Sequence, residues 1–207
     1  MPWYAVDTGE SKDVYTSWSE TSQLVTGVSG VRYKKFHTEE EAYTWLGITA
    51  DSTTSDDELH VYTDGACTCN GTPRAKGGIG VFFAVGDPRN ISAPLPQGMK
   101  ATNNTAELLA IEAAIDTVRH DADVNNLVVH TDSQYAHKAL TTWINAWIKN
   151  NWQTKKGTPV NNRELIERIY CKLQEEPPVI TLEYIKAHCG NYGNTQADLL
   201  AKAGAKK

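Results

Sequence analysis

One short phrase occurs twice in the chain, as "VYTDG" (Val61–Gly65) and "VHTDS" (Val129–Ser133). In each, an alternation of apolar and polar residues ends on an aspartate and is followed at once by a residue suited to a turn, so each reads as a strand carrying a carboxylate at its carboxyl end. A carboxylate taken out of water is costly unless something positive meets it. If the two strands are parallel neighbours, Asp64 and Asp132 lie side by side at one sheet edge, where open α/β sheets bind ligands. Taken singly, either aspartate has a plainer reading as a residue that opens a turn or caps a helix.

The flanking pattern supplies the sheet those strands need. Strands are expected at Leu59–Ala66, Gly78–Val85 and Asn90–Leu95, then a helix at Thr102–Val118 and a strand at Asn126–Thr131. Helices follow from Ser133 to about Trp152, with room for one break, and from Asn162 to Leu173; a strand Ile180–Ala187 and a helix Thr195–Gly204 complete the chain. Three strands joined by short turns, then strand–helix alternation, imply a mixed five-stranded α/β sheet flanked by helices.

Two further acids fall near the same edge. Leu108, Ile111, Ile115 and Val118 recur at helical spacing, and Glu107 stands one turn before Ile111 on the margin of that stripe. An acid in a first helical turn also complements the macrodipole, which is its structural alternative. Asp198, in "GNTQADLLAKAG", is early in the last helix, one turn before Ala201. Four carboxylates packed together would resist full ionisation unless cations intervened. Hard oxygen ligands suit Mg²⁺ or Mn²⁺ rather than zinc, and two such ions about 4 Å apart can stabilise the attacking and leaving oxygens of a phosphoryl transfer. His188 ends the last strand ten residues before Asp198; a group titrating near neutrality there could move a proton to or from the departing product.

Upstream, "GITADSTTSDDE" (Gly47–Glu58) is polar and acidic, so residues 48–58 are expected to be a flexible linker between a small domain, 1–47, and a larger one, 59–207. Strand-like runs Trp3–Val6, Asp13–Trp18 and Val31–Phe36 and helical runs Ser19–Val25 and Thr38–Leu46 make the small domain a β-β-α-β-α unit. The formal net charge of −5 argues mildly against a polyanionic partner. Divided along the chain, however, residues 59–207 carry sixteen basic and fourteen acidic side chains, and bound cations would offset several of the acids. The N-terminus has neither a basic n-region nor an apolar h-region, and nothing approaches a membrane span, so a soluble intracellular protein, cytoplasmic or nuclear, is expected. Four cysteines in 207 residues do not make a disulfide framework. A zinc site from Cys67, Cys69, His188 and Cys189 lacks a standard spacing, and small packed thiols are the simpler account.

The collinear stretches "YTDGAC", "TNNTAELLAI", "HTDSQYA", "WINAWIKNNW" and "KAHCGNYGNTQADLLA" resemble ribonuclease H of type 1 over essentially all of residues 59–207. The run "WYAV…VYTSW…VRYKKFHTEEEAYTWL" resembles the small hybrid-binding domain that precedes the catalytic domain in many cellular members. The resemblance implies a monomeric endonuclease that cuts the RNA strand of an RNA–DNA hybrid, leaving 5′-phosphate and 3′-hydroxyl ends. It implies two Mg²⁺ ions, replaceable by Mn²⁺, held by Asp64, Glu107, Asp132 and Asp198, with His188 assisting proton transfer or product release. By the same resemblance Asn70, Asn103 and Asn104 would read the RNA strand, whose 2′-hydroxyl distinguishes it from DNA. Lys100, Thr102 and Asn162 would take a phosphate of the DNA strand, while Tyr135, Trp143 and Trp147 would pack on deoxyribose. In the small domain Trp18, Tyr33, Lys34 and Lys35 would contact the hybrid.

One departure stands out. The first turn of the small domain, often basic in the family, reads "DTGESKD" (Asp7–Asp13) here, with three acids around one lysine. Phosphate contacts supply much of the affinity for nucleic acid, so weaker hybrid binding by this domain is expected. Two rivals stand beside this reading. A binding protein that had lost catalysis should lack a metal carboxylate, and none is missing; a nuclease of the same fold with another nucleic-acid substrate is a question that fold alone does not settle.

Overall fold

In the computed structural model, residues 2–9, 12–47, 58–187 and 191–207 are described. The expected linker at 48–57 lies outside them, and Glu58 already belongs to a strand.

The N-terminal unit is a three-stranded antiparallel sheet, order β2-β1-β3, of β1 (Trp3–Asp7), β2 (Lys12–Tyr15) and β3 (Arg32–Phe36). Its helices are α1 (Trp18–Val25) and α2 (Glu39–Trp45). Trp18, expected at the end of a strand, instead opens α1, because Ser17 takes the N-cap backbone conformation and its carbonyl accepts from the Thr21 N–H. α2 starts where the sequence indicates: the Thr38 hydroxyl accepts from the Glu41 N–H while the Glu41 carboxylate accepts from the Thr38 N–H. Ala5, Ala42 and Leu46 are buried between the sheet and α2.

The larger unit is built on a five-stranded mixed sheet, order β6-β5-β4-β7-β8. Its strands are β4 (Glu58–Thr68), β5 (Lys76–Phe82), β6 (Ile91–Pro94), β7 (Asn126–Thr131) and β8 (Val179–Tyr184). β4 pairs antiparallel with β5 and parallel with β7, with Thr63 opposite Thr131. The two aspartates that follow those threonines therefore share one register position, as the repeated phrase implies. β8 stops at Tyr184, short of the expected Ala187.

Helix α3 (Asn103–Val118) covers one face; Leu108, Ile111, Ile115 and Val118 meet Val61, Val81, Leu127 and Val129 in the main core. The expected helix 133–152 is divided into α4 (Gln134–Lys138), a π-helical turn (Ala139–Trp143) and α5 (Ile144–Lys149). Helix α6 (Arg163–Leu173) is clasped to α3 by Arg168 and Lys172 on Glu112, at 2.6 and 2.8 Å. Helix α7 (Tyr192–Gly204) lies against the face opposite α3 and begins three residues before the expected Thr195. There the Asn191 side chain caps it, accepting from the Asn194 N–H at 2.9 Å. Edge-on contact between Tyr43 of α2 and Tyr192 of α7, centroids 4.4 Å apart, packs the two units together.

Helix α7 reaches the sheet only because β5 lacks side chains beneath it. A Cβ on Gly80 would lie 2.0 Å from the Ala197 carbonyl oxygen, and one on Gly78 would lie 2.1 Å from the Ala205 nitrogen. Both clashes are with backbone, which cannot rotate aside. Gly80→Ala is expected to lower the unfolding free energy by about 2 kcal/mol or more, measured by denaturant titration; an unchanged midpoint would show that α7 shifts without cost.

Candidate active site

The carboxyl ends of β4 and β7 place Asp64 and Asp132 at one edge, and the N-terminal part of α3 adds Glu107. Carboxylate oxygens of these three residues lie within 4.8 Å of one another. Gly65 sets this approach: a Cβ there would sit 2.2 Å from the Glu107 backbone nitrogen, so only glycine lets α3 come so near the strand. Asp198 borders the same cavity of about 470 Å³ as Asp64 and Asp132, and its carboxylate is held by Lys202 at 2.6 Å.

Like charges and burial set the proton affinity of this cluster. Burial first, then Asp132 and Asp198, push the Asp64 carboxyl from 3.8 up to about 7, against the opposing pull of Lys202 and the Gly65 N–H. Burial also raises Glu107 well above the usual carboxylate range, with Asp64 and Asp132 adding to it. Oε2 of Glu107 is buried without a hydrogen-bond partner. Oxygen-only donors, too close for comfort as anions and with one buried oxygen unused, fit a divalent cation of the Mg²⁺ type. Among the described residues the three-residue cluster able to hold a metal is this all-carboxylate set. Cys67, Cys69 and Cys171 are free thiols, and burial pushes Cys67 up, away from thiolate. His188 and Cys189 lie outside the described residues.

Beside the cluster, Asn70, Lys100, Thr102, Asn103, Asn104 and Asn162 line a second cavity of about 470 Å³, together with Asn161, which the sequence reading did not single out. The residues expected to read the RNA strand and those expected to take a DNA-strand phosphate thus share one hollow. Its wall is cross-linked: the Thr102 hydroxyl caps α3 by accepting from the Thr105 N–H, the Thr105 hydroxyl donates to Asn162, and the Asn162 amide donates to the Tyr135 hydroxyl. From Tyr135 an aromatic file continues through Trp143, Trp147 and Trp152, with centroid spacings of 6.2, 5.5 and 6.4 Å. Trp143 is exposed, whereas Trp152 is buried and belongs to the core.

In the N-terminal unit, Trp18 is 46% and Tyr33 50% exposed, with ring centroids 5.8 Å apart. Tyr4, absent from the sequence-based set, packs against Trp18 with the rings tilted and their centroids 5.4 Å apart, and the Lys35 ammonium lies over Tyr4. Lys34 does not join this group: strand alternation turns it to the other face, where it lies over Phe36. Of the acids in the first turn, Asp7 is bonded by Arg32 from β3, which holds its carboxyl below the usual range.

Models of two known families match the chain: "RNase H" over residues 56–206 and "Ribonuclease H1 N-terminal domain" over residues 2–46. A ribonuclease H of Schizosaccharomyces pombe is 34% identical, the alignment covering 99% of this chain and 97% of that protein. Ribonuclease H1 of Homo sapiens is 28% identical, covering 99% and 89%. Among solved structures, the "PFV RNase H domain" superposes with a TM-score of 0.56 at 26% identity, over 71% of this chain and 93% of that one.

The raised proton affinity of Asp64 has a definite sign. Because folding favours its protonated form, the associated stability is fully present below about pH 3.8 and is lost as pH rises through about 7. In chelator, the thermal midpoint should therefore fall between pH 5 and pH 8, and Asp64→Asn should flatten that fall. A divalent cation should raise the midpoint more at pH 8 than at pH 5; equal increments at both would remove the carboxylates as its ligands.

Proposed function

Because the chain belongs to the ribonuclease H family, matched over residues 56–206, we propose that it is an endonuclease that hydrolyses the RNA strand of an RNA–DNA hybrid, leaving 5′-phosphate and 3′-hydroxyl ends. The observation that carries this reading is the meeting of Asp64, Glu107 and Asp132 within 4.8 Å at a sheet edge, next to a hollow lined by asparagines.

Asp64, Glu107, Asp132 and Asp198 would hold two Mg²⁺ ions, with Mn²⁺ as substitute; when bound, these supply charge stabilisation to the attacking and leaving oxygens of the phosphoryl transfer. The chain's own part is to bring the scissile phosphodiester to that edge. Water adds to phosphorus, the bond to the ribose 3′-oxygen breaks, and the phosphate stays on the downstream 5′-oxygen. The departing 3′-oxygen takes up a proton.

Asn70, Asn103 and Asn104 offer amide donors and acceptors to the 2′-hydroxyls that mark the RNA strand. Lys100, Thr102 and Asn162 supply a cation and two hydrogen-bonding side chains for a phosphate of the DNA strand. Tyr135, Trp143 and Trp147 give that strand an apolar wall where a 2′-hydroxyl would be poorly solvated. The exposed rings of Trp18 and Tyr33, with Lys35 nearby, suit the sugar–phosphate surface of the same hybrid, and tethering raises the local concentration of the catalytic unit on it. Lys34, on the opposite face of β3, would reach the hybrid only around the strand edge.

The test is cleavage of a labelled hybrid in Mg²⁺, with double-stranded DNA and double-stranded RNA run beside it. Only the RNA of the hybrid should be cut. Asp64→Asn should lose about a thousandfold in rate, the several kcal/mol of charge stabilisation it helps to hold, while hybrid binding persists. Cutting of duplex DNA at a comparable rate would instead favour another nuclease of this fold.

A further inference from the structure

Asn194 is one of the few polar side chains buried in the larger unit: it is 7% exposed, in the first turn of α7, on the wall of the cavity that holds Asp64, Asp132 and Asp198. Its Nδ2 donates to Oδ2 of Asp132 at 2.9 Å. Its Oδ1 is buried without a partner. An unpaired buried carbonyl is an unfavourable feature that native proteins keep only for a reason. Turning the amide over would set that oxygen against a carboxylate, which only accepts, so Asp132 dictates the orientation.

The position of this amide is built in from three sides. Asn191 caps α7 on the Asn194 N–H. Gly193 lies flat on the Tyr62 ring, where a Cβ would come within 2.2 Å of Cδ2. Tyr62 is held in turn by stacking on His130 of β7, centroids 4.6 Å apart, two residues before Asp132, which follows the end of that strand. The strand that leads into Asp132 thus also anchors the helix that carries Asn194.

We infer that Asn194 is a positioning residue: it ties down one oxygen of Asp132 so that the other is presented to a divalent cation. This rests on the reading of the site as a metal-dependent nuclease. The chemistry favours an amide over the alternatives. A neutral donor orients a carboxylate without cancelling its charge, whereas an ammonium or guanidinium in the same place would compete with the cation. Partners of this kind around metal ligands typically matter about 10- to 100-fold in metal affinity or activity.

Asn194→Ala and the nearly isosteric Asn194→Asp in the full chain test this, with circular dichroism confirming the fold. Mn²⁺ titrated calorimetrically into chelator-stripped protein should bind Asn194→Ala about tenfold more weakly than wild type. On hybrid, kcat should fall about 10- to 100-fold with KM within about twofold. Asn194→Asp keeps the size, removes the donor and adds charge; its kcat should be no higher than that of Asn194→Ala. Wild-type Mn²⁺ affinity and kcat in folded Asn194→Ala would overturn the inference, as would a rise in KM alone or recovery of kcat in Asn194→Asp. Failure of the wild type to cut hybrid would instead overturn the functional reading, leaving the Mn²⁺ comparison standing on its own.

Discussion

Bringing three acidic side chains within 4.8 Å of one another, two of them strongly desolvated, works against folding. The surrounding structure exists to impose it. Parallel pairing of β4 with β7 puts two aspartates at the same level, and the close approach of α3 over Gly65 delivers Glu107. Gly78 and Gly80 let α7 settle on β5, which brings Asp198 and Asn194 to the same edge. None of these approaches tolerates a Cβ, because each obstacle is backbone. The glycines are therefore part of the site although they carry no chemistry.

The second hollow shows the same economy of placement. Thr102, Thr105, Asn162 and Tyr135 form one hydrogen-bonded file joining the start of α3 to the approach of α6 and to α4. Asn162 takes a left-handed backbone, φ 58°, a conformation asparagine accepts more readily than most residues. A residue whose side chain crosses to another helix is here also the one that turns the chain. The aromatic file beyond Tyr135 divides by burial: Trp143 faces solvent, and Trp152 anchors the loop from below, with the Arg163 guanidinium over its ring.

In the N-terminal unit the acidic first turn is less hostile to a polyanion than its composition suggests. Asp7 is engaged by Arg32 across the sheet, so its charge is largely answered within the unit. Alternation along β3 decides the rest, since Tyr33 and Lys35 share a face with Tyr4 while Lys34 does not. Asp13 and Glu20 of this unit, with Trp3 and Tyr15, border the cavity of the acidic cluster, so the small unit shapes the approach to the larger one.

Much of this was legible in the chain alone. A repeated phrase ending in Asp, read with strand periodicity, implied that Asp64 and Asp132 would be neighbours, and the helical stripe of Leu108, Ile111 and Ile115 put Glu107 at its margin. Those inferences rest on local, periodic rules that depend on few long-range contacts. Asn194, Asn161 and Tyr4 were not legible, because nothing in a single asparagine or tyrosine shows which distant residue it will meet. The start of α7 was missed for a related reason: an Asn191 cap looks like any loop asparagine until its side chain is seen on the Asn194 N–H. The sequence by itself determined which residues carry charge and in what order the strands and helices run. Only the tertiary structure decided how closely the carboxylates stand and which amide holds Asp132, since backbone approach over glycine and burial are properties of packed elements, not of the string that encodes them.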